Sequence, residues 1–384
     1  MFGKIKELSE FRVDDVEKIG MVNKALIDVV EPCYLKDISQ KYQHPVFEKM
    51  EDVCYSDAII EEDTKYCPKC GKTFPDGENV CMDCLVHLKN ISDKIDVFDI
   101  EFDPQFSVVG DNDYGCLDDL LSGENISKIN AFDFNHDDYS NVLHDIKAEA
   151  FRNFDKLVKD NEIDFDGLDI LDKVILFVKS FVKLDYKSSG HQLGYFENNT
   201  VFIDDRQSKS LQITTLIHEL SHFLIQEILT RIVCKLLNAT KNEHVVSLVV
   251  YILSFAPFTQ LIDEYSAHNV EGRFTLFGYQ DYSSFKQIEA ELDGEMPAEE
   301  IEVTKSIGNN FSISIKEILE AFIDRDLRED IKDQFLKDNR DRPNYRALEM
   351  ENLKILNDEG FMRAIWLILN DGCEIASLNV DKLK

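Results

Sequence analysis

The stretch LQITTLIHELSHFLI, residues 211–225, carries an H-E-x-x-H motif inside an amphipathic helix pattern. Its apolar residues recur at spacings of three and four, which predicts a helix that is buried along one side. His218 and His222 are four residues apart, so both imidazoles lie on one helix face about one turn from each other. Two imidazoles in this arrangement can bind one Zn²⁺ at roughly 2.0–2.1 Å. The stretch therefore predicts a metal site on a partly buried helix.

Glu219 stands between the two metal-binding histidines. It is rotated by about 100° from His218 and still borders the predicted metal position. A carboxylate at that place can take a proton from a water that the metal activates. We therefore expect a metal-dependent hydrolase, of which the commonest form is a peptidase, with Glu219 as its catalytic base.

A second predicted helix, residues 259–272, offers the third protein ligand that a catalytic zinc site requires. Pro257 ends the preceding helix, and Gly272 is predicted to end this one. Glu264 and His268 are four apart and share a face, so either could complete the site. We expect Glu264 to be the ligand, because a carboxylate offsets part of the metal charge, with His268 behind it or facing the oxyanion. The alternative is that His268 is itself the ligand.

Hydrolysis also requires a donor that stabilises the oxyanion. Tyr265, His268, Tyr279 and Tyr282 are candidates, and the sequence does not choose among them. We expect catalytic roles for Tyr265 and His268, both on the helix that carries Glu264.

Residues 193–204, LGYFENNTVFID, read as two short strands joined by a turn at Glu-Asn-Asn. A hairpin, a polar loop and the H-E-x-x-H helix are followed by an E-x-x-A motif from Glu264 to Ala267. The chain resembles the gluzincin type of zincin metallopeptidase in this order of its elements. The order is distantly similar to the intracellular ImmA/IrrE-type and SprT-like peptidases. The resemblance covers about residues 190–272.

The resemblance implies that His218 and His222 bind zinc, that Glu219 is the base and that Glu264 is the third ligand. It also implies an edge strand beside the motif helix, where a substrate peptide pairs as an added strand. Many such enzymes have an Asp four residues after the ligand Glu, and this chain has His268 there.

Four cysteines form two C-x-x-C pairs that are separated by ten residues: Cys67, Cys70, Cys81 and Cys84. Each pair can grip one tetrahedral ion with two thiolates, so the segment predicts a structural Zn²⁺, with rubredoxin-like iron as the alternative. The segment resembles the zinc-ribbon family, including its C-P-x-C-G opening, although Leu85 stands where the second pair is usually followed by Gly. A closed four-cysteine site folds its segment and carries out no chemistry.

The chain has 74 acidic and 42 basic residues and a net charge of −32, a field that repels phosphate backbones and anionic membranes. Nucleic acid is therefore not an expected partner, whereas a protein or peptide substrate is. The first residues form no apolar signal-peptide core, and the longest apolar stretch, 245–258, is too short to span a bilayer. The remaining cysteines show no paired spacing, and with a thiolate site they indicate the cytoplasm.

The predicted fold class is α+β: a mostly helical, zincin-like core with a small edge sheet, plus a small four-cysteine zinc ribbon. A break is expected at Gly308-Asn-Asn310 in the helical C-terminal part. We divide the chain into a helical segment (1–60), the ribbon (61–92), an acidic linker or small domain (93–143), the metallopeptidase core (144–285) and a helical region (286–384).

The functional expectation is a cytoplasmic zinc-dependent metallopeptidase with one catalytic and one structural Zn²⁺. The alternative is a zinc-ribbon protein-interaction or regulatory module whose H-E-x-x-H fold is catalytically inactive. The two differ in whether Glu219 stands beside an open metal position.

Overall fold

The structure is a computed structural model. It describes residues 46–47, 64–66, 73–75, 78–83, 85–90, 97, 100–108, 110–131, 134–187, 193–275, 283–292, 296–338, 347–348 and 355–382. The predicted helical segment 1–60 lies outside these ranges except for residues 46–47.

Helices make up most of the described chain. They are Leu117–Leu120 (α1), Gly123–Asn130 (α2), His136–Asp160 (α3), Ile170–Phe181 (α4), Lys209–Leu237 (α5), Glu243–Ser254 (α6), Pro257–Thr275 (α7), Ser283–Glu291 (α8), Ala298–Leu319 (α9), Arg325–Asp338 (α10) and Asp358–Lys382 (α11). A short 3₁₀ turn lies at Phe165–Gly167.

The strands are short. They are Val46–Phe47 (β1), Thr64–Tyr66 (β2), Thr73–Pro75 (β3), Val80–Cys81 (β4), Val86–His87 (β5), Lys89–Asn90 (β6), Lys183–Tyr186 (β7), Gly194–Glu197 (β8), Thr200–Ile203 (β9) and Ala347–Leu348 (β10). In the sheet beside the helices the order is β7-β9-β8, with β7 parallel and β8 antiparallel to β9. A mainly helical chain with a small mixed sheet confirms the predicted α+β class.

The predicted hairpin at residues 193–204 is confirmed as β8 and β9. Asn198 and Asn199 have φ angles of 50° and 62°, and two left-handed residues in succession form the turn that matches the twist of a two-residue hairpin. Asparagine tolerates this conformation better than most residues, so the Asn-Asn pair sets the register. The sequence did not predict β7.

The motif helix α5 is the central element of the fold. It packs against α4, α6, α7, α10 and the edge strand β8. At its start the Ser210 N–H donates a 2.8 Å hydrogen bond to Asp338 Oδ2 from the end of α10, which places a carboxylate at the positive end of the helix dipole. Asn238, at φ 48°, ends α5 in the left-handed conformation. The helix is therefore held at both ends.

Two predictions that a helix ends or breaks at a glycine are wrong. Helix α7 begins at Pro257, but it continues through Gly272 to Thr275. Helix α9 runs without a break through Gly308. A Cβ at Gly308 would lie 3.0 Å from Tyr265 Cδ1, so this glycine lets α9 approach α7 closely instead of interrupting its helix.

Buried apolar residues from Val97 to Ala376 form one continuous core around α5. The predicted boundaries near residues 143 and 285 both fall within the span of this core, and they stay predictions. In the part of the chain that is described, no single helix has the length and apolar composition needed to cross a membrane. Helices α6 and α7 reach that composition only together, and a bend of 96° separates them.

Candidate metal centre

Helices α5 and α7 pack side by side and bring the predicted site residues together. Helix α5 carries His218, Glu219 and His222, and α7 carries Glu264 and His268. Ala267 of α7 is fully buried, as a close helix contact requires. Residues more than forty positions apart in sequence thus share one cluster.

Acceptor atoms of three side chains in this cluster converge. Nε2 of His218 and Nε2 of His222 are 3.2 Å apart. Two nitrogens bound to one tetrahedral zinc ion would be about 3.3 Å apart, given zinc–nitrogen bonds near 2.05 Å. Glu264 Oε2 lies 3.7 Å from the first nitrogen, and Glu264 Oε1 lies 3.9 Å from the second. The three side chains therefore fit the ligand set of one divalent ion, with little adjustment of the carboxylate.

A carboxylate lies behind each of the two imidazoles. His218 Nδ1 is 3.1 Å from Glu271 Oε2, and His222 Nδ1 is 3.0 Å from Asp263 Oδ2. An ionised carboxylate favours a proton on the imidazole nitrogen next to it, here Nδ1. In the neutral ring, Nε2 then has its lone pair free for the shared position. Histidines that bind metal are commonly oriented in this way.

His268 lies beside this set, and its two ring nitrogens contact other groups. Its Nδ1 is 3.2 Å from Glu271 Oε2, and its Nε2 is 2.7 Å from Ser284 Oγ on α8. The Ser284 hydroxyl donates a hydrogen bond of 2.5 Å to Glu264 Oε2. His218, His268 and Glu271 could also surround a cation, but hydrogen-bond distances already account for their contacts. His268 therefore supports Glu264 from behind.

The electrostatics of the cluster favour positive charge. Burial opposes the charge on His222, but Asp263 and Glu264 outweigh this effect and raise its pKa to about 9. The pKa of His218 is also raised well above its usual value against burial, through Glu264 and Glu271. Burial would raise the pKa of Glu264, yet the two imidazoles hold it well below its usual range. A site that binds protons this tightly also attracts a metal ion, which competes for the same lone pairs.

Glu219 is the buried carboxylate at the edge strand. Burial raises its pKa, although the two histidines act in the opposite direction. Gly194 of β8 faces it: a Cβ there would be 3.5 Å from Glu219 Cγ and only 2.5 Å from Thr215 Cγ2. Strand β8 therefore crosses the motif helix where the glutamate projects, and only glycine permits this approach.

The tyrosine candidates are placed differently from the histidines. Tyr265 is buried in a separate small apolar cluster with Leu261 and Phe285, and its ring centroid is 5.2 Å from that of Phe285. Tyr279 and Tyr282 lie outside the described residues. The donor for the oxyanion stays a prediction.

The predicted ribbon is described in part. Strands β2 and β3 flank the first C-x-x-C pair as an antiparallel pair, and β4 and β5 flank the second. Cys81 is buried, and its carbonyl accepts a 2.7 Å hydrogen bond from the N–H of Leu85. Leu85 has φ 53°, the left-handed conformation that glycine usually adopts at this place. Cys67, Cys70 and Cys84 lie outside the described residues, so the four-cysteine site stays a prediction.

The sequence did not identify three partners of the cluster: Asp263, Glu271 and Ser284. A signal for one of them was present, since Glu271 is seven residues after Glu264 and thus on the same helix face. It takes the position behind His218 that the resemblance assigned to an Asp at residue 268. No protein-family model, curated protein or solved structure matches the chain.

Proposed function

We propose that the protein is a zinc-dependent metallopeptidase, a zincin of the gluzincin type that cleaves peptide bonds in protein or peptide substrates. One observation carries the proposal. Nε2 of His218, Nε2 of His222 and the Glu264 carboxylate converge on one point, and a buried glutamate stands next to them. Three groups that each present a lone pair to the same point repel one another unless a cation lies between them, so a purely structural role does not explain this arrangement.

His218, His222 and Glu264 would hold the ion, leaving its fourth position for water or substrate. When bound, zinc supplies a Lewis acid that lowers the pKa of a water and polarises the scissile carbonyl. Cys67, Cys70, Cys81 and Cys84 would hold the second, structural ion. We place the protein in the cytoplasm, because four thiolates need a reducing compartment.

Glu219 would take the proton from the attacking water and pass it to the leaving amine. Its burial supports this role, because a carboxylate whose pKa is raised is a stronger base and holds the proton until the amine accepts it. His268 and Tyr265 stay candidates for stabilising the oxyanion. In this structure Nε2 of His268 contacts Ser284 Oγ, so direct donation to an oxyanion would require that contact to break.

Strand β8 would bind the substrate. In the described part of the sheet it pairs with β9 along one edge, so its other edge is the side on which an extended peptide can add main-chain hydrogen bonds. Phe196 packs towards α5, at 6.0 Å from the ring of Phe223, which anchors the strand on the motif helix. A peptide on this edge would pass Gly194 and the carboxylate of Glu219.

Metal content and hydrolysis test the proposal together. Native mass spectrometry of the purified chain should show two zinc ions, of which the one at the histidines exchanges more readily. Fluorescein-labelled casein and a mixed fluorogenic peptide library serve as substrates. His218→Ala should lose one zinc and all hydrolysis, and the matched variant His244→Ala should lose neither.

A single zinc ion held by the cysteines alone would overturn the peptidase assignment. Zinc at the histidines without hydrolysis of any library member would favour the alternative, a binding or regulatory module. The metal content of His218→Ala distinguishes these two results. The variant loses a zinc ion only if the histidines of the wild type bind one.

The third ligand is tested by two variants on the same helix face. Glu264→Ala should empty the histidine site, because two imidazoles alone hold zinc weakly. His268→Ala should lower turnover and retain the metal, since its nitrogens contact Glu271 and Ser284. X-ray absorption that counts three imidazoles around this zinc would make His268 the ligand and contradict the assignment.

A further inference from the structure

Ser284 connects α8 to the proposed metal ligand. Its hydroxyl donates to Glu264 Oε2 and lies 2.7 Å from His268 Nε2. An ionised Glu264 only accepts, and a hydroxyl has a single proton, so a Ser284 that donates to Glu264 can only accept from His268. This contact requires the tautomer of His268 with its proton on Nε2, which leaves Nδ1 without a proton towards Glu271 when the ring is neutral. Ser284 is thereby held by His268 while it holds Glu264.

The same contacts close a ring around the site. His268 Nδ1 is 3.2 Å from Glu271 Oε2, and the same oxygen is 3.1 Å from His218 Nδ1. On the far side of that imidazole, His218 Nε2 faces Glu264 Oε2 at 3.7 Å. Five side chains from α5, α7 and α8 therefore fix one another, and two of them are proposed ligands.

A glutamate needs this support at least as much as a histidine does, because its side chain has one more rotatable bond. The terminal torsion of a glutamate side chain is broad and nearly two-fold, so the carboxylate plane is poorly fixed by the helix itself. His218 and His222 each have a carboxylate behind Nδ1. Ser284 makes the corresponding contact for Glu264, since its hydroxyl donates to one oxygen of the carboxylate.

We propose that Ser284, oriented by His268, is a positioning residue that fixes the Glu264 carboxylate as the third ligand and thereby ties α8 to the occupied metal centre. This inference rests on the proposed function, because it takes Glu264 as a ligand. It adds a role for α8, which contributes no ligand of its own. Loss of such an outer partner lowers metal affinity by about 10- to 100-fold.

A matched pair of variants isolates the hydroxyl. Ser284→Thr keeps the donor, and Ser284→Val has nearly the same shape without it. Each full-length variant is stripped of metal and titrated with Co²⁺, whose visible absorption bands report the number and geometry of ligands. Ser284→Val should bind Co²⁺ about 10- to 100-fold more weakly with altered bands, and Ser284→Thr should stay within a few-fold of wild type.

Two controls separate this role from a general loss of structure. Ser284→Ala repeats the deletion without a branched side chain. Ser247→Ala removes a half-exposed serine whose hydroxyl donates to the Glu243 carbonyl in its own helix, and it should change neither affinity nor bands. Circular dichroism of the metal-free variants shows that each is folded.

Equal Co²⁺ affinity and bands in wild type, Ser284→Val and Ser284→Ala would overturn the positioning role while leaving the metal site in place. If wild type itself gives no Co²⁺ bands that His222→Ala removes, the proposed function fails, and the inference fails with it. Weak binding in Ser284→Thr as well as Ser284→Val would also contradict the proposal, because the hydroxyl would then not be the determinant.

Discussion

Helix α5 carries two buried ionic clusters little more than one turn apart, and they are balanced in different ways. In the first, Arg231 contacts Glu149 at 2.8 Å and Glu227 at 2.7 Å, and Lys241 contacts Glu227 at 2.5 Å. Two carboxylates meet two permanent cations. The chain itself supplies every charge that this cluster needs.

The second cluster contains three imidazoles and four carboxylates, those of Glu219, Asp263, Glu264 and Glu271. Among the residues that the structure describes, Asp263, Glu264 and Glu271 form ion pairs with histidines alone. Burying charge is costly unless it is compensated, and an imidazole provides compensation only by taking up a proton. The charge of this cluster is therefore balanced only when protons or a metal ion bind from solution, whereas the charge of the first cluster is balanced within the chain.

On the proposed function, the first cluster is structural and the second is functional, although one helix carries both. A structural cluster should respond to mutation through folding stability and ignore metal and pH near neutrality. A functional cluster should respond through metal affinity, turnover and proton uptake. Substitutions in the two clusters and changes of pH each test this distinction.

Glu219→Gln should lower turnover by about 10²- to 10⁴-fold, because the amide keeps the shape of the side chain but cannot accept the proton of the attacking water. Zinc should remain, since Glu219 is not one of the three converging ligands. Hydrolysis of labelled casein and zinc content are measured on the same sample. Glu243→Gln, an exposed change on α6, is the control, and a fully active Glu219→Gln would place the chemistry elsewhere.

Arg231→Met should lower the free energy of unfolding by about 3–5 kcal/mol, because it leaves two buried carboxylates without their shared cation. Urea denaturation of the metal-free chain measures this change. Lys147→Met breaks an ion pair with the more exposed Glu317 and should cost about 0–1 kcal/mol. Co²⁺ affinity should be the same in folded Arg231→Met as in wild type, and a large loss of affinity would show that the two clusters are coupled.

Metal affinity should rise with pH between pH 6.5 and about 9. The pKa of His222 is raised to about 9 in the metal-free site, so below that pH the metal must displace a proton. The apparent affinity should therefore change by up to about tenfold per pH unit for each proton displaced. Competition between Co²⁺ and a chelator from pH 6.5 to 9 measures the slope, and a flat profile would contradict the assignment.

The stability of the metal-free protein should depend on pH in the opposite direction to its metal affinity. The folded pKa of His222 is above its ordinary value of 6.5, so its charge stabilises the fold fully below pH 6.5 and this contribution disappears as the pH rises through about 9. Between about pH 9 and pH 6.5, a lower pH should thus favour the metal-free fold and oppose metal binding. Thermal unfolding with and without Co²⁺ separates the two.

Glu271→Gln should weaken metal binding by about 10- to 100-fold, because a neutral amide orients His218 less strongly than a carboxylate does. Glu227→Gln is the matched control in the other cluster, and it should lower stability without a change in metal affinity. Co²⁺ titration and urea denaturation are run on both variants. Equal effects on affinity would remove the distinction between the two clusters.

The sequence predicted the parts of this arrangement that are local. The motif helix follows from its apolar spacing, the β8–β9 hairpin from Asn-Asn between two apolar strands, and the shared face of Glu264 and His268 from a spacing of four. Each depends on residues within one or two turns. Such patterns suffice for the class of the fold and for the proposed ligands.

The rest depends on contacts between distant segments. Ser284 lies twenty residues after Glu264, and no spacing rule connects them. Gly308 read as a helix break, but close packing against α7 outweighs its low helix propensity. Gly272 likewise lies inside α7, where its flanking residues are buried. Propensity is a weak signal wherever tertiary packing decides.

The contact at Gly194 has a genetic consequence. A methyl group there would lie 2.5 Å from Thr215 Cγ2 and 2.6 Å from the Phe202 carbonyl oxygen, so any substitution moves β8 from the motif helix. Strand β8 lies at the edge of the sheet, so we expect such a shift to leave most of the core folded. Random mutagenesis followed by selection for inactive but well-expressed protein should therefore enrich substitutions at codon 194 beside those at codons 218, 219 and 222, although residue 194 has no chemistry of its own.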